Sequence, residues 1–227
     1  PENRYVFMAT RGGTVKKTAL DEFSNPRKAG IIAVDLDEGD YLIGAALTDG
    51  QCDVLLLTSA GKAARFAESD VRAMGRTARG VRGIALRGDH RVIALIIPRV
   101  DGFVLTASAR GYGKRTPIEQ YPVKGRAGMG VKSIKTSERN GEQVGAVRVT
   151  GDDEIMLITD GGTLVRTSVA DISQMSRDTQ GVRLISLRND EKLIGIERIE
   201  ALEVEEGIAL PEGEELAVED APPSDEG

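Results

Sequence analysis

An all-β, propeller-like chain of four-stranded blades is predicted by three observations. A glycine-centred motif occurs four times in the 227 residues. A second line of glycines runs in step with it. Short β-branched runs, bounded by Gly, Asp and Asn, fill the intervals, with no stretch that sustains a helical period. The motif reads Thr10-Arg11-Gly12-Gly13-Thr14-Val15-Lys16-Lys17-Thr18, Thr58-Ser59-Ala60-Gly61-Lys62-Ala63-Ala64-Arg65-Phe66, Ser108-Ala109-Arg110-Gly111-Tyr112-Gly113-Lys114-Arg115-Thr116 and Thr159-Asp160-Gly161-Gly162-Thr163-Leu164-Val165-Arg166-Thr167. The anchors Gly13, Gly61, Gly111 and Gly162 are spaced by 48, 50 and 51 residues, a period that marks stacked supersecondary units.

Each element follows in order within a unit. The first strand is the apolar run before the anchor: Tyr5 to Ala9, Val54 to Leu57, Phe103 to Thr106 and Ile155 to Ile158. The anchor then supplies the positive φ that a tight turn needs. The second strand carries a cation four residues past each anchor: Lys17, Arg65, Arg115, Arg166. Gly30, Gly80, Gly130 and Gly181 open a third run (Ile31 to Leu36 in the first unit, Val81 to Leu86 in the second), and a fourth closes each unit, as in Leu42-Ile43-Gly44 and Leu193-Ile194-Gly195. Four strands at this period match a propeller blade. A pair of β-sandwiches is the competing reading, but it does not require four units to share phase. The blades are expected at about 1–50, 51–101, 102–152 and 153–200, with an acidic tail at 201–227.

Aromatic content is 4% with no Trp, so the blades must pack through Val, Ile, Leu and Ala. Cys52, the only cysteine, excludes an intramolecular disulfide, suits a reducing cytoplasm and reads as an inert structural thiol. No run is long enough to span a membrane as a helix, and the abrupt start at Pro1 suggests a piece of a longer protein. The net charge of −6 conceals opposed populations. Glu197 to Gly227 carries −11, whereas Val54 to Lys135 carries +11. The tail's Pro and Glu content predicts disorder at its end, and its charge predicts competition with a polyanion for the cationic body.

The long connections after the second strands are basic: Arg27 and Lys28, then Arg72, Arg76 and Arg79, then Lys124 and Arg126, then Arg177. With Lys16, Lys17, Arg65, Arg82, Lys114, Arg115, Lys132 and Arg166 they form a set that recurs in every unit and, on a circular scaffold, a belt. Such a belt can neutralise phosphates without reading sequence. A solvated rim needs cations too, and those of the second strands share a face with core positions, where internal carboxylates are alternative partners. Base readout has no recognition helix, zinc ligand set or aromatic stripe to support it. One histidine, His90, and one cysteine leave no metal site and no catalytic triad. Gly125 to Ser133 imitates a phosphate-binding loop but leads into a strand, and Asp152-Asp153-Glu154 reads as a charged turn. Tyr112, between two glycines, is expected at an exposed turn where it could touch a ligand.

Phe7-Met8-Ala9-Thr10, Gly13 to Thr18, Val71-Arg72-Ala73-Met74-Gly75, Gly80-Val81-Arg82-Gly83-Ile84, Gly111 to Thr116, Ser137-Glu138-Arg139-Asn140-Gly141 and Gly162 to Thr167 closely resemble the C-terminal domain of the bacterial DNA gyrase A protein. The likeness runs from Tyr5 to Ile199. It implies a β-pinwheel that wraps double-stranded DNA on its outer rim with positive handedness, serving ATP-dependent negative supercoiling by a cytoplasmic, nucleoid-associated type II topoisomerase. It also implies partners, the rest of gyrase A and the gyrase B protein, and neither a membrane nor a small-molecule substrate. ATP, magnesium and the cleavage tyrosine belong to other domains, so no catalytic residue and no cofactor is expected here. The family's six blades and its basic box of the form QRRGGRG are not all present: four repeats are visible and the box is absent, so the segment looks like the last four blades. The corresponding clamp of topoisomerase IV and a protein-interaction propeller with an acidic partner are the alternatives.

Overall fold

The computed structural model describes residues 4–99, 101–188 and 190–199; the acidic tail lies outside the described residues. The first repeat forms β1 (Tyr5–Thr10), β2 (Thr14–Ala19) and β3 (Leu42–Thr48). The second forms β4 (Asp53–Thr58), β5 (Lys62–Ala67), β6 (Val81–Arg82) and β7 (Val92–Ile96). The third gives β8 (Phe103–Ser108), β9 (Tyr112–Pro117), β10 (Val131–Lys132) and β11 (Gln143–Val149). The fourth gives β12 (Glu154–Thr159), β13 (Leu164–Ser168), β14 (Val182–Arg183) and β15 (Leu193–Ile199). A single turn of 3₁₀ helix follows each second strand, as at Glu68–Asp70 and Ile118–Gln120.

The strands assemble into four antiparallel sheets, one per blade, in the orders β3-β1-β2-β6, β7-β4-β5-β10, β11-β8-β9-β14 and β15-β12-β13. The hairpins form as expected around anchors with φ of +88, +70, +80 and +81° at Gly13, Gly61, Gly111 and Gly162. β3, β7, β11 and β15 are the inner strands, each lying against the next.

Strand parentage differs from the expectation that each unit supplies its own four strands. The outermost strand of every complete sheet comes from the following repeat: Thr14 pairs with Arg82, Ala63 with Val131 and Gly113 with Val182. The physical reason is the apolar residue that follows each crossing strand. Ile84, Ile134 and Ile185 are buried, and Ile84 and Ile185 belong to the clusters between blades one and two and between blades three and four. A crossing segment thus places its isoleucine in the joint while its backbone completes the earlier sheet. Gly83 N–H donates to Gly13 O at 2.8 Å, Ser133 N–H to Gly61 O at 2.7 Å and Leu184 N–H to Gly111 O at 2.8 Å.

Two ends are therefore left over. Ile31 to Leu36 has no earlier sheet in this chain and is not a strand, and Ile32 is 62% exposed. Among the described residues the fourth sheet has three strands, with β13 at its edge.

The core consists of the three joints, because alternate residues of a strand face opposite neighbours. Val54 and Leu56 pack with Phe7, Phe66 and Val71 towards the first blade. Leu55 and Leu57 pack with Val104, Ile118 and Tyr121 towards the third. Leu105 and Ala107 meet Ile155, Leu157, Val169 and Ile196 of the fourth.

Candidate nucleic-acid interface

The cations four residues past the anchors do not form a free belt. β2, β5 and β9 aim them across the joints, towards the backbone carbonyls of the 3₁₀ turn of the next repeat. Lys17 Nζ donates to Glu68 O at 3.4 Å, Arg65 Nη1 to Ile118 O at 3.2 Å and to Tyr121 O at 3.1 Å, and Arg115 Nη2 to Ala170 O at 3.5 Å. Carboxylates and rings complete the cages. Lys17 lies 3.9 Å from the buried Glu68 and over the Tyr5 ring, Arg65 bonds Asp53, and Arg115 stacks on Phe103 at 5.0 Å. Arg166 has no fifth repeat in this chain to reach and pairs with Glu154 of its own hairpin.

Lys16 and Lys114, one position earlier, are buried and also act as staples. Lys16 Nζ donates to Ala33 O at 2.7 Å and to Arg76 O. Lys114 Nζ donates to Thr116 Oγ1 at 3.0 Å, Ser176 O at 2.6 Å and Arg177 O at 3.1 Å. Burial, aided by the nearby Arg177 charge and opposed by Asp178, lowers the Lys114 pKa from 10.5 to about 7. Burial and Arg76 lower that of Lys16 as well.

A third set clamps the crossing segments. Arg76 Nη1 donates to Ile32 O at 2.8 Å, Arg126 to Arg82 O, and Arg177 Nη1 to Lys132 O at 2.9 Å. Each loop arginine thereby holds the third segment of the preceding repeat. Arg79 is paired with Asp35 at 3.1 Å and Asp37 at 2.7 Å, and Lys132 with Asp178 at 3.0 Å, whose carboxyl it holds below its usual pKa.

Five of the sixteen predicted cations are exposed and make no ion pair or side-chain hydrogen bond among the described residues: Arg27, Lys28, Arg72, Arg82 and Lys124. Arg82 lies on an outermost strand, and the other four lie on the connections leading to the outer edges. They are spread over three repeats, with no enclosing cavity, so the surface they offer is a charged rim.

A group of cations that sequence reasoning missed lines an opening of about 1460 Å³ bordered by all four repeats. Arg11, Arg91, Arg110, Arg139, Arg183 and Lys192 share it with Glu142, Asp160, Asp190 and Glu191. Arg11 and Arg110 stand just before anchors, and Arg91 and Lys192 each lie just before an inner strand, but the six do not share one phase. Tyr112, expected to be exposed, is largely buried between Arg183, whose Nη2 donates to the hydroxyl at 3.2 Å, and Arg139 at 5.1 Å from the ring. Those guanidiniums, Arg183 first, lower the phenol's pKa.

Among the described residues, one group of potential metal-ligating side chains comes together: Asp49, Cys52 and Glu68. The Glu68 carboxylate already accepts from Thr48 Oγ1 at 2.6 Å, Gly50 N at 3.0 Å and Cys52 Sγ at 2.9 Å. Burial and Glu68 push the thiol pKa up to about 12, so Cys52 stays a protonated donor. Asp153 accepts from Thr150 N at 2.7 Å, and His90 sits exposed with Nδ1 3.3 Å from Ser59 Oγ. None of the described helices is long and apolar enough to cross a membrane.

The family model described as "DNA gyrase C-terminal domain, beta-propeller" matches residues 4–49, 53–99, 102–150 and 153–200. The DNA gyrase A protein of Salmonella typhimurium is 56% identical over 220 residues, covering 94% of this chain and 25% of that protein. The chain thus spans about a quarter of the length of the curated relatives it matches. A solved DNA gyrase A C-terminal domain superposes with a TM-score of 0.77 at 26% identity, covering 87% of this chain and 66% of that one. A solved C-terminal domain of DNA topoisomerase IV gives 0.82 at 27%, covering 87% and 62%.

Proposed function

The chain belongs to the DNA gyrase C-terminal domain family, and from that premise we propose that it binds double-stranded DNA without sequence specificity and bends it around the outer rim. The observation that carries this reading is the set of unpaired, exposed cations, Arg27, Lys28, Arg72, Arg82 and Lys124, on outer connections and an outer strand. Phosphates meeting them release counterions, and each contact adds a modest, salt-dependent increment. Bending a site of 20 to 30 bp costs on the order of 1 to 6 kcal/mol, which several such contacts offset. Arg79 and Lys132 are held by exposed carboxylates and join the rim when phosphate displaces Asp35, Asp37 or Asp178.

In this reading the chain works within the gyrase A protein, alongside gyrase B, in the bacterial cytoplasm at the nucleoid, and presents a curved duplex for passage during ATP-dependent negative supercoiling. ATP, magnesium and the cleavage tyrosine act in other domains; the chain itself supplies positioning and no covalent step. A topoisomerase IV clamp is the second reading, favoured by the TM-score of 0.82, whereas the 56% identity favours gyrase. The test is topological. Ligation of a nicked circle with the bound chain is expected to raise the linking number; an unchanged linking number with DNA demonstrably bound overturns wrapping and leaves binding alone.

A further inference from the structure

We propose that the third blade carries a phosphate-binding site made by Arg110, Arg139, Arg183 and the Tyr112 hydroxyl, and that its ligand is a compact phosphate, either inorganic phosphate or a phosphate monoester. The site is independent of the rim contacts. Its residues come from the third sheet, which has all four strands, and from the turns that lead into β9 and β11.

Three guanidiniums surround one phenol. Tyr112 begins β9, opposite Arg183 on the outermost strand β14. Arg183 Nη2 donates to the Tyr112 hydroxyl at 3.2 Å, and its guanidinium carbon lies 5.7 Å from the ring centroid. That of Arg139 lies 5.1 Å from the same centroid. Arg110 precedes the anchor Gly111, and its stem packs on the turn that bears Arg139, since a Cβ added at Gly141 would meet Arg110 Cγ at 3.5 Å. The phenol oxygen accepts from Arg183, which leaves the hydroxyl proton to be donated outward. Tyr112 is 8% exposed, whereas all three arginines are exposed, so a buried ring floors a cluster of accessible donors.

The turn that presents Arg139 is fixed from within. Ser137-Glu138-Arg139-Asn140-Gly141 closes on Asn140, which is fully buried. Its Oδ1 accepts from Ser137 N at 2.8 Å and Ser137 Oγ at 3.1 Å, and its Nδ2 donates to Lys135 O at 2.9 Å and Gln180 O at 3.2 Å. The bond to Gln180 ties the turn to the segment leading into β14 and so holds Arg139 and Arg183 on one ring. Thr14, Lys62 and Thr163 stand at the position of Tyr112 in the other repeats. The cluster, unlike the rim cations, therefore does not recur.

Among the described residues no carboxylate pairs with the three guanidiniums. Those of the adjoining opening are engaged elsewhere: Glu142 pairs with Arg91 at 3.4 Å, Glu191 accepts from Thr159 Oγ1 and from Arg188 N at 3.1 Å, and Asp160 accepts from Lys192 N at 2.8 Å. Like charges held around one ring repel one another. A phosphate relieves that repulsion and has enough oxygens to accept from guanidiniums and a phenol together. The carboxylates that border the same opening favour a small anion over a duplex, which brings one charge per about 1.7 Å of its axis.

Side-chain NMR of the labelled 227-residue chain, at neutral pH and matched ionic strength, tests the proposal. Inorganic phosphate and methyl phosphate are each expected to shift the Tyr112 ring signals and the Nε signals of Arg139 and Arg183 saturably, while chloride and a short duplex leave them in place. Arg139→Gln and Arg183→Gln are each expected to weaken phosphate binding at least about fivefold, discounted for exposure. Tyr112→Phe keeps the ring beneath the guanidiniums and is expected to weaken it about threefold, whereas Arg72→Gln, on the rim, leaves it unchanged. Shifts that rise without saturating, or that chloride reproduces, overturn the site. Signals that a short duplex moves and phosphate competes for overturn the compact ligand and place the three arginines among the DNA contacts.

Discussion

Replacing Arg65 by Gln separates joint from rim. The guanidinium is 18% exposed and holds Ile118 O, Tyr121 O and the Asp53 carboxylate at 2.8 to 3.2 Å. Each hydrogen bond to a charged group contributes about 1.5 to 3 kcal/mol where it is buried. Here the Asp53 side chain is 24% exposed, so water recovers part of that loss. A net destabilisation of about 3 kcal/mol follows, a substantial fraction of the 5 to 15 kcal/mol typical of a domain. Because there is no Trp, unfolding in urea is best followed by far-UV circular dichroism, with anisotropy of a labelled duplex measured on the folded variant. The expected result is a clear fall in the urea midpoint with duplex affinity within about twofold of the parent. Arg72→Gln is expected to do the reverse, leaving stability within about 0.5 kcal/mol and weakening the duplex. An Arg65→Gln protein that loses less than about 1 kcal/mol and binds DNA at least fivefold more weakly would refute the assignment of this cation to the joint.

Three further outcomes are expected. Lys114 has a folded pKa of about 7, below its unfolded value of 10.5, so the unfolded chain binds more protons between those values. Stability contributed by this group therefore rises as pH increases through 7 towards 10.5, and an Nζ titration near 10.5 by NMR would contradict it. Ile134→Ala removes a 1% exposed isoleucine from the second joint and is expected to cost about 3 kcal/mol in urea unfolding; Ile32→Ala, at a 62% exposed position of the third segment that joins no sheet, is expected to cost under about 0.5 kcal/mol. Truncation after Ile199 removes most of the acidic excess and is expected to tighten duplex binding at low salt, unchanged or weaker affinity counting against competition by the tail.

Much of the fold was legible because backbone requirements leave marks in sequence. Gly13, Gly61, Gly111 and Gly162 had to be glycine for the turn, and the runs before them had to be apolar on both faces because blades cover both. Strand parentage was not legible: Val81-Arg82 reads the same whether it completes its own sheet or the previous one, and only the burial of Ile84 against the first blade decides. The site was half legible. Composition located the cations, but a lysine that staples a joint and one that meets phosphate share spacing and chemistry. Lys16, Lys17 and Lys114 differ from Lys28 and Lys124 only in where the neighbouring repeat's carbonyls fall. Arg139 and Arg183 went unnoticed because the contact with Tyr112 joins residues up to 71 apart in sequence.

The central claim is that the rim cations left unpaired by the joints are the ones that meet DNA. The direct test is the salt dependence of duplex affinity for the parent chain and for Arg72→Gln/Arg82→Gln/Lys124→Gln. Five phosphate contacts give a slope of log K against log salt of about −4.5, and the triple variant about −1.8, at unchanged unfolding midpoint. Equal slopes for the two proteins, or binding indifferent to salt, would contradict the account.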